Sequence, residues 1–199
     1  MKNECKVITG MVRLSYANIL EPRAMEGQEP RYSVAMLIPK EDTETMQEID
    51  SAINAAYRNG LDKLRAGGKV PALSAIKSPV HDGDMERPDD PVYTGCWYIN
   101  ATCPATHQPQ IVDVYKNRLT SPDVVYSGMF ARVSVTFYAF NRNGNRGIAC
   151  GLGNILKLAD GDRLGGNSTA DEDFGEFYKE PATNGQNFDT ILSDGETPF

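Results

Sequence analysis

The stretch MFARVSVTFYAF, residues 129–140, decides the fold class of this chain. Its odd-numbered residues from 131 to 137 are Ala, Val, Val and Phe, whereas Arg, Ser and Thr stand between them. A strict period of two places alternate side chains on opposite faces of a strand. The stretch therefore predicts a β-strand with one face in a core and one face outside it.

The residues that follow this strand predict a hairpin and a curved return strand. Asn143-Gly144 is typical of a type I′ turn, because both central residues of that turn need positive φ. The return strand is RGIACGLGNILKL, residues 146–158. Its glycines at 147, 151 and 153 predict a bulge or a tight bend, as small barrels need at their corners.

The remaining elements are mostly strands. We predict them in KVITGMVRLSYANI at 6–19, RYSVAMLIP at 31–39, CWYINATC at 96–103 and IVDVY at 111–115. In the first of these, one parity is apolar and carries Ile8, Val12, Leu14 and Tyr16. Residues 71–95 lack periodicity and are interpreted as a long loop.

One helix is predicted between the second and third strands, from about Asp42 to Ala66. Asp42 or Thr43 can cap it, since a side-chain oxygen there accepts from the free amides of the first turn. An apolar stripe recurs every three or four residues and comprises Met46, Ile49, Ile53, Tyr57, Leu61 and Leu64. The helix is expected to pack on a sheet.

These elements favour a mainly β fold, because strands without regular βα alternation form an antiparallel sheet or a small closed barrel. We predict one domain over residues 1–159. From residue 160 to 199 no periodicity remains, and the composition is that of a flexible tail.

Charge is unevenly divided between the two parts. The net charge is −7, yet residues 160–199 contain ten acidic residues against Arg163 and Lys179, whereas residues 1–159 contain 18 basic and 17 acidic residues. The body can therefore present a basic face. No apolar run is long enough to span a membrane, and the first residues contain no hydrophobic signal, so we expect neither a membrane partner nor export.

No catalytic arrangement is evident. The chain has no P-loop, and Gly151-x-Gly153 lacks the third glycine of a dinucleotide site because residue 156 is Leu. We expect no enzyme activity, no metal and no cofactor. One alternative is a metal-dependent nuclease that uses the acids of the 82–90 loop, Asp82, Asp84, Glu86, Asp89 and Asp90.

The four cysteines are expected to be reduced, since no pair has the spacing C-x-x-C. They are Cys5, Cys96, Cys103 and Cys150. A zinc site that combines them with His81 or His107 is the alternative.

The positive signals concern nucleic-acid binding. On the non-core parity of the strand that begins at 130, cationic and aromatic side chains can neutralise phosphates and stack bases: Arg132, Tyr138, Phe140 and Arg142. Further candidates share these side-chain types: Arg13, Tyr98, Tyr115, Lys116, Arg118 and Arg146. For each aromatic residue core packing is the alternative, and for each cation a solvated surface position.

Several stretches together resemble a family of single-stranded DNA-binding proteins from tailed phages. They are RLSYANILEP at 13–22, RYSVAMLIPK at 31–40, HDGDMERPDD at 81–90, YINATCPA at 98–105 and the block 125–166. The resemblance implies an OB-fold, a five-stranded antiparallel β-barrel with one inserted helix. It also implies sequence-independent binding of single-stranded DNA in phage replication, recombination or repair, without catalysis, in the cytoplasm of the infected bacterium.

The end of the chain, SDGETPF, has a second resemblance. Bacterial and some phage single-stranded DNA-binding proteins end in an acidic tail that an aromatic residue closes, and the matching residues here are Asp194, Glu196, Pro198 and Phe199. The resemblance implies recruitment of replication or recombination proteins, because an exposed Phe can fill a partner's apolar pocket while the acids steer association. Such a tail can also compete with DNA for the basic face.

A phage structural or scaffolding protein with an acidic tail is a further alternative. The sequence leaves the oligomeric state open, and a homodimer is compatible with it.

Overall fold

The structure is a computed structural model of the chain, and it describes residues 3–24, 27–165 and 177. Within these residues there are eight strands: β1 (Lys6–Ile8), β2 (Val12–Arg23), β3 (Arg31–Pro39), β4 (Val80–Asp82), β5 (Cys96–Pro104), β6 (Ile111–Val112), β7 (Phe130–Arg142) and β8 (Asn145–Ala159). The α-helices of the same residues are α1 (Thr43–Asn59), α2 (Leu61–Leu64) and α3 (Gly83–Glu86).

Five of the strands close into a barrel. Strand β2 pairs with β3 and β7, β3 pairs with β5, and β7 pairs with β8, all antiparallel. The ring is completed by a parallel pairing of β5 with β8, in which Ala101 faces Cys150 and Thr102 faces Gly151. Closure leaves these strands without free edges. The predicted fold class, a mainly β OB-fold with one main inserted helix, is confirmed.

The β7–β8 hairpin follows the sequence pattern closely. Ala131, Val133, Val135 and Phe137 are buried inside the barrel, and the residues between them face outward. At the turn, Asn143 and Gly144 have φ angles of 50° and 85°, the positive values that the predicted turn requires.

The predicted irregularity in β8 is also present. The pairing register shifts between Val133 and Val135, where Gly153 lies against Ser134. A residue with a Cβ atom at position 153 would overlap the side chain of Ser134. The bulge therefore depends on glycine at this position.

Helix α1 begins where its cap predicts and ends earlier than predicted. The Asp42 carboxylate accepts a hydrogen bond of 3.1 Å from the backbone N–H of Thr45. The expectation of one helix to residue 66 is wrong, because Gly60 interrupts it and a separate turn, α2, follows. Gly60 touches β7 so closely that a Cβ atom there would overlap Ala139, and Leu61 is exposed rather than part of the apolar stripe.

Two residues expected on the apolar face of the first strand are exposed instead. Ile8 is 60% and Tyr16 59% exposed. The predicted strand is interrupted between β1 and β2, and Val7 rather than Ile8 is buried in the core. Tyr16 has a φ angle of 46°, so its side chain does not follow the alternation of the strand and is exposed. The strand expected at 111–115 is likewise shorter, and only Ile111–Val112 pairs.

Residues 71–95 form more structure than the predicted loop. They contain β4, which pairs with β5, and α3, which follows it directly. Together with the turn Pro91–Tyr93 they cover part of the outer face of the barrel, where Leu37, Tyr93 and Tyr98 form a small second core.

The chain divides into two units, Met1–Gly165 and Gly166–Phe199. All strands and α-helices named above lie in the first unit. In the second, only Phe177 is described, and it is 77% exposed. The partner-binding residues predicted at 194, 196, 198 and 199 lie outside the described residues. In the ranges 3–24 and 27–165, no helix is long and apolar enough to cross a membrane.

Candidate nucleic-acid interface

A row of small side chains crosses the outer face of the barrel. Pairing register places Asn18 beside Ser33, Ser33 beside Thr102, and Thr102 beside Gly151. The Asn18 amide donates a hydrogen bond of 3.2 Å to the Ser33 hydroxyl, which fixes both on this face. Because none of these side chains is large, the row forms the floor of a shallow groove. We call it the groove floor.

Tyr138 stands beside the groove floor. Its side chain is 43% exposed, and its ring lies against Gly151. A Cβ atom on that glycine would be 3.4 Å from Tyr138 Cε1, which is van der Waals contact, so a side chain larger than alanine would meet the ring. The absence of a side chain at position 151 thus leaves room for a partly exposed aromatic ring beside the groove floor.

Two arginines flank the same part of the groove. Arg31 begins β3 and Arg142 ends β7, and both line a depression of about 440 Å³ with Tyr138, Thr102 and Gly151. Among the described residues, neither arginine makes an ion pair. Two guanidinium groups and an aromatic ring in one depression suit a ligand with phosphates and flat bases.

A second aromatic group lies farther along the same face. The Arg87 guanidinium carbon is 5.6 Å from the ring centre of Tyr16, 5.0 Å from that of Tyr93 and 5.9 Å from that of Tyr98. Arg87 Nη1 also donates a hydrogen bond of 3.4 Å to the Tyr16 hydroxyl, which raises the pKa of Arg87 further and keeps it charged. We call Arg87 and these three tyrosines the arginine cage.

The residues predicted on β7 occupy two kinds of position. Arg132, Tyr138 and Arg142 are exposed on the outer face. Phe140 points the same way but is half-buried, because Gly147 and Lys77 lie against it. Each is placed by strand parity, and their contact with nucleic acid stays a prediction.

Arg146, on the return strand, is half-buried. Its Nη1 donates to the carbonyl of Gly144 at 3.3 Å, while its buried Nε has no partner among the described residues. Its position beside the hairpin turn is one strand away from Arg142. It can therefore add positive charge to this end of the groove.

Tyr98 faces outward as predicted, but it is not an exposed platform. Its side chain is only 6% exposed, because His81 stacks on it at 4.9 Å and Tyr93 meets it edge-on at 5.1 Å. Its hydroxyl donates to Glu86 Oε2 at 3.0 Å, and burial together with that carboxylate raises the pKa of Tyr98. Tyr98 is therefore a buried member of the arginine cage.

Arg13 is used within the fold. It donates to the carbonyl oxygens of Gly128 at 3.3 Å and Asp162 at 3.0 Å, and it lies over the ring of Phe130 at 5.8 Å. These contacts hold residues near 162 against the barrel. Its exposure to a ligand is correspondingly reduced.

Tyr115, Lys116 and Arg118 lie on a turn away from the groove floor. Asp113 Oδ1 accepts hydrogen bonds from the backbone N–H groups of Tyr115 at 2.9 Å and Asn117 at 2.8 Å. The pKa of Asp113 is lowered mainly by its hydrogen bond with the Asn117 side chain, and these backbone bonds lower it further. Tyr115 is 82% exposed, and Lys116 has a φ angle of 69°.

Sequence reasoning missed three residues of this surface: Arg31, Tyr16 and Arg87. Arg31 lies at the first position of a strand whose other residues are mostly apolar. Tyr16 belongs to the apolar parity, so the pattern placed it inside. Arg87 lies in a stretch without periodicity, where the only available signal is an Arg next to several turn residues.

The acids of the alternative nuclease site have other partners. Lys40 Nζ lies 2.7 Å from Asp82 Oδ1 and 2.7 Å from Asp84 Oδ2. The hydrogen bond from Lys40 holds the pKa of Asp84 below its ordinary value. No group of three or more His, Cys, Asp or Glu residues in the described part of the chain is arranged to hold a metal ion.

Comparison with known families decides the class of protein. The profile of a family described as the ssDNA-binding protein of Enterobacter phage Enc34 matches residues 5–185. The chain belongs to the Enc34 single-stranded DNA-binding protein family. Members of this family are not enzymes, which confirms the prediction that the chain is not one. The resemblance to phage single-stranded DNA-binding proteins is confirmed by the same match.

Individual relatives agree with membership of the Enc34 family. Protein p50 of Acyrthosiphon pisum secondary endosymbiont phage 1 is 27% identical over 176 residues, which cover 83% of this chain and 89% of that protein. The single-stranded DNA-binding protein of bacteriophage Enc34, solved in complex with ssDNA, is 26% identical with a TM-score of 0.69. That match covers 81% of this chain and 90% of the solved one.

A more distant likeness extends the fold of the Enc34 family to another phage. The single-stranded DNA-binding protein gp2.5 of bacteriophage T7 is 16% identical, with a TM-score of 0.57. That match covers 91% of this chain and 98% of the gp2.5 chain. At this identity the likeness concerns the fold alone.

Proposed function

We propose that this protein binds single-stranded DNA without base specificity, through the groove that runs from Tyr138, Arg31 and Arg142 across the groove floor to the arginine cage. The observation that carries the proposal is the exposed Tyr138 ring against Gly151, in a depression that Arg31 and Arg142 also line without an ion pair among the described residues. OB-folds bind oligonucleotides on this face and through the loops beside it.

The chemistry of the groove suits a single strand. A base stacked on an aromatic ring contributes about 1 to 3 kcal/mol, and stacking tolerates any base because each has a flat face. Arginines neutralise the phosphates between stacked bases. The relative from bacteriophage Enc34 was solved with ssDNA bound, which supports the same ligand class here.

The finer roles that we propose rest on the resemblance to phage single-stranded DNA-binding proteins and on the charge distribution. We propose action in phage replication, recombination or repair in the cytoplasm of the infected bacterium. Residues 1–159 form the DNA-binding domain of this proposal, and the acidic segment 160–199 recruits replication or recombination proteins through Asp194, Glu196, Pro198 and Phe199. The same segment, with ten acidic residues against two basic ones, competes with DNA for the groove.

Fluorescence anisotropy of labelled oligo-dT tests the binding proposal. We expect salt-dependent binding without cleavage, and a Tyr138→Ala variant should bind roughly 5- to 100-fold more weakly, as expected from the loss of one stacking contact. Tyr138→Phe keeps the ring and should bind like the wild type. If the folded wild-type protein shows no affinity for the oligonucleotide at low salt, the proposal is wrong.

A further inference from the structure

A second surface leaves the groove along the outer face of β7. Strand β1 pairs with β7 so that Lys6 lies beside Thr136 and Ile8 beside Ser134. Val7 and Val135, between them, are buried, so Lys6 and Ile8 point outward with their partners. This explains the exposed Ile8, which faces the same side of the sheet as Lys6.

The other side of β7 carries almost no bulk at the same level. Thr136 faces Gly151, and Ser134 lies against Gly153, so the sheet surface stays low between Tyr138 and Arg132. Arg132 is exposed at the far end. The six residue steps from Tyr138 to Arg132 span about 20 Å at the usual strand rise. We call Lys6, Ile8, Arg132, Ser134 and Thr136 the β7 strip.

The turn at 113–118 lies at the far end of this strip. Leu156 on β8 pairs with Arg132 on one side and with Val112 on the other, and Val112 in turn bridges to Arg118. The Asp113 hydrogen bonds fix the turn, so that Tyr115 and Lys116 project from it. An aromatic ring and two cations therefore continue the line of the β7 strip.

We propose that the β7 strip and the 113–118 turn form a second binding segment for the same DNA strand after it leaves the groove. The inference rests on the proposed function. It identifies DNA as the occupant because the surface is continuous with the groove, and because Lys6, Arg132, Lys116 and Arg118 make no ion pair among the described residues. The cations along the strip can contact phosphates, and Ile8 on the strip and Tyr115 on the turn can contact bases.

The test compares a short oligo-dT of about 6 nucleotides with a long one of about 20, because OB-fold sites cover about 4 to 16 nucleotides and the long strand exceeds that range. The variant is the double replacement of Lys6→Ala with Arg132→Ala. For the long strand, the slope of log K against log salt should become shallower by about 1.4, since each lost phosphate contact on a single strand contributes about 0.7. Binding of the short strand, which fills only the groove, should be unchanged.

Tyr115→Ala gives an independent readout that does not depend on charge. It should weaken binding of the long strand several-fold and leave the short strand unaffected, since one stacking contact is lost. The matched control for the Lys6→Ala, Arg132→Ala double variant is Arg58→Ala with Lys69→Ala. It also removes two exposed cations, at positions outside the strip, and should leave binding of both strands unchanged.

The outcomes separate the inference from the proposed function. If the Lys6→Ala, Arg132→Ala double variant or Tyr115→Ala has the same effect on binding of the short and the long strand, the inference is wrong. A loss of affinity for both strands in Tyr138→Ala would still support the groove of the proposed function. If the wild-type protein binds neither strand, the proposed function fails first. Circular dichroism of each variant establishes that it is folded before binding is compared.

Discussion

The ring of Tyr138 lies on Gly151, which belongs to the neighbouring strand β8 and has no side chain to displace it. A Cβ atom at position 151 would stand 3.2 Å from the carbonyl oxygen of Thr136 and 3.4 Å from Tyr138 Cε1. The glycine therefore leaves room for the ring and keeps this part of the groove floor open.

Gly151→Val should weaken DNA binding about as much as Tyr138→Ala, roughly 5- to 100-fold, because its methyl groups displace the ring from its stacking position. Anisotropy titration with oligo-dT measures the effect. Gly151→Ala needs a shift of only a few tenths of an ångström and should stay close to the wild type. A folded Val variant with wild-type affinity would show that the ring position does not matter.

Arg87→Ala should lower the free energy of unfolding by about 1 to 2 kcal/mol, because Arg87 contributes both cation–π attraction and packing to three tyrosine rings. Urea unfolding monitored by tyrosine and tryptophan fluorescence measures this change. Arg87→Lys should not restore stability, since an ammonium lacks the planar surface of a guanidinium. Arg58→Ala, an exposed cation on α1, is the control and should change little. Equal stability of the Arg87 and Arg58 variants contradicts the role given to the cage.

Removing residues 166–199 should tighten binding of single-stranded DNA if the acidic segment competes for the groove. The deletion removes eight acidic residues and one basic residue. The gain should be largest at low salt, where charges act over longer distances. An affinity equal to that of the full chain at low salt would refute competition while leaving the groove in place.

The cut after Gly165 matters for this experiment. Leu164 N–H donates to the carbonyl of Ser127 at 2.8 Å, and Asp162 accepts from Arg13, so a cut at 159 would also remove barrel contacts. Phe199→Ala is the complementary variant. It should leave DNA affinity unchanged and weaken binding to purified replication or recombination proteins, as measured by surface plasmon resonance.

The stability of the barrel should fall in acid partly through Asp160. Lys157 Nζ lies 2.6 Å from Asp160 Oδ1, and Tyr126 donates to the same oxygen at 2.7 Å; both hold the pKa of Asp160 below its ordinary 3.8. Because the folded state favours the carboxylate, this contribution is present above pH 3.8. It is lost as the pH falls from that value through the lower folded-state pKa.

Asp160→Asn should therefore be less stable than the wild type near neutral pH, and the difference should shrink below pH 3.8. Urea midpoints measured from neutral pH into acid test this. Asp89→Asn, which replaces an exposed carboxylate without an ion pair in the described residues, controls for the change in net charge. A difference between Asp160→Asn and wild type that stays constant across the range counts against the ion pair.

Much of the barrel could be predicted because its signals are local. The alternation in 129–140, the Asn143-Gly144 turn and the Asp42 cap each depend on residues close together in the chain. Predictions failed where residues distant in sequence make contact. Gly60 packs against Ala139 of β7, and α1 ends there. Ile8 lies outside because β1 is a separate strand from β2 and pairs with β7. Tyr98 has the predicted direction, yet the 80–93 segment covers it, and no local pattern shows that covering.

From the sequence alone it follows which β7 residues point to the core, which family the chain resembles, and that acidic residues are concentrated in residues 160–199. Strand periodicity and composition are properties of neighbouring residues, so they can be read directly. The three-dimensional fold is needed to show that Arg31 lines one depression with Tyr138 and Arg142, and that Arg87 meets Tyr16. Arg31 lies far from Tyr138 in sequence, as Tyr16 does from Arg87, and the closure of the barrel through the parallel β5–β8 pairing brings Arg31 onto the same face as Tyr138.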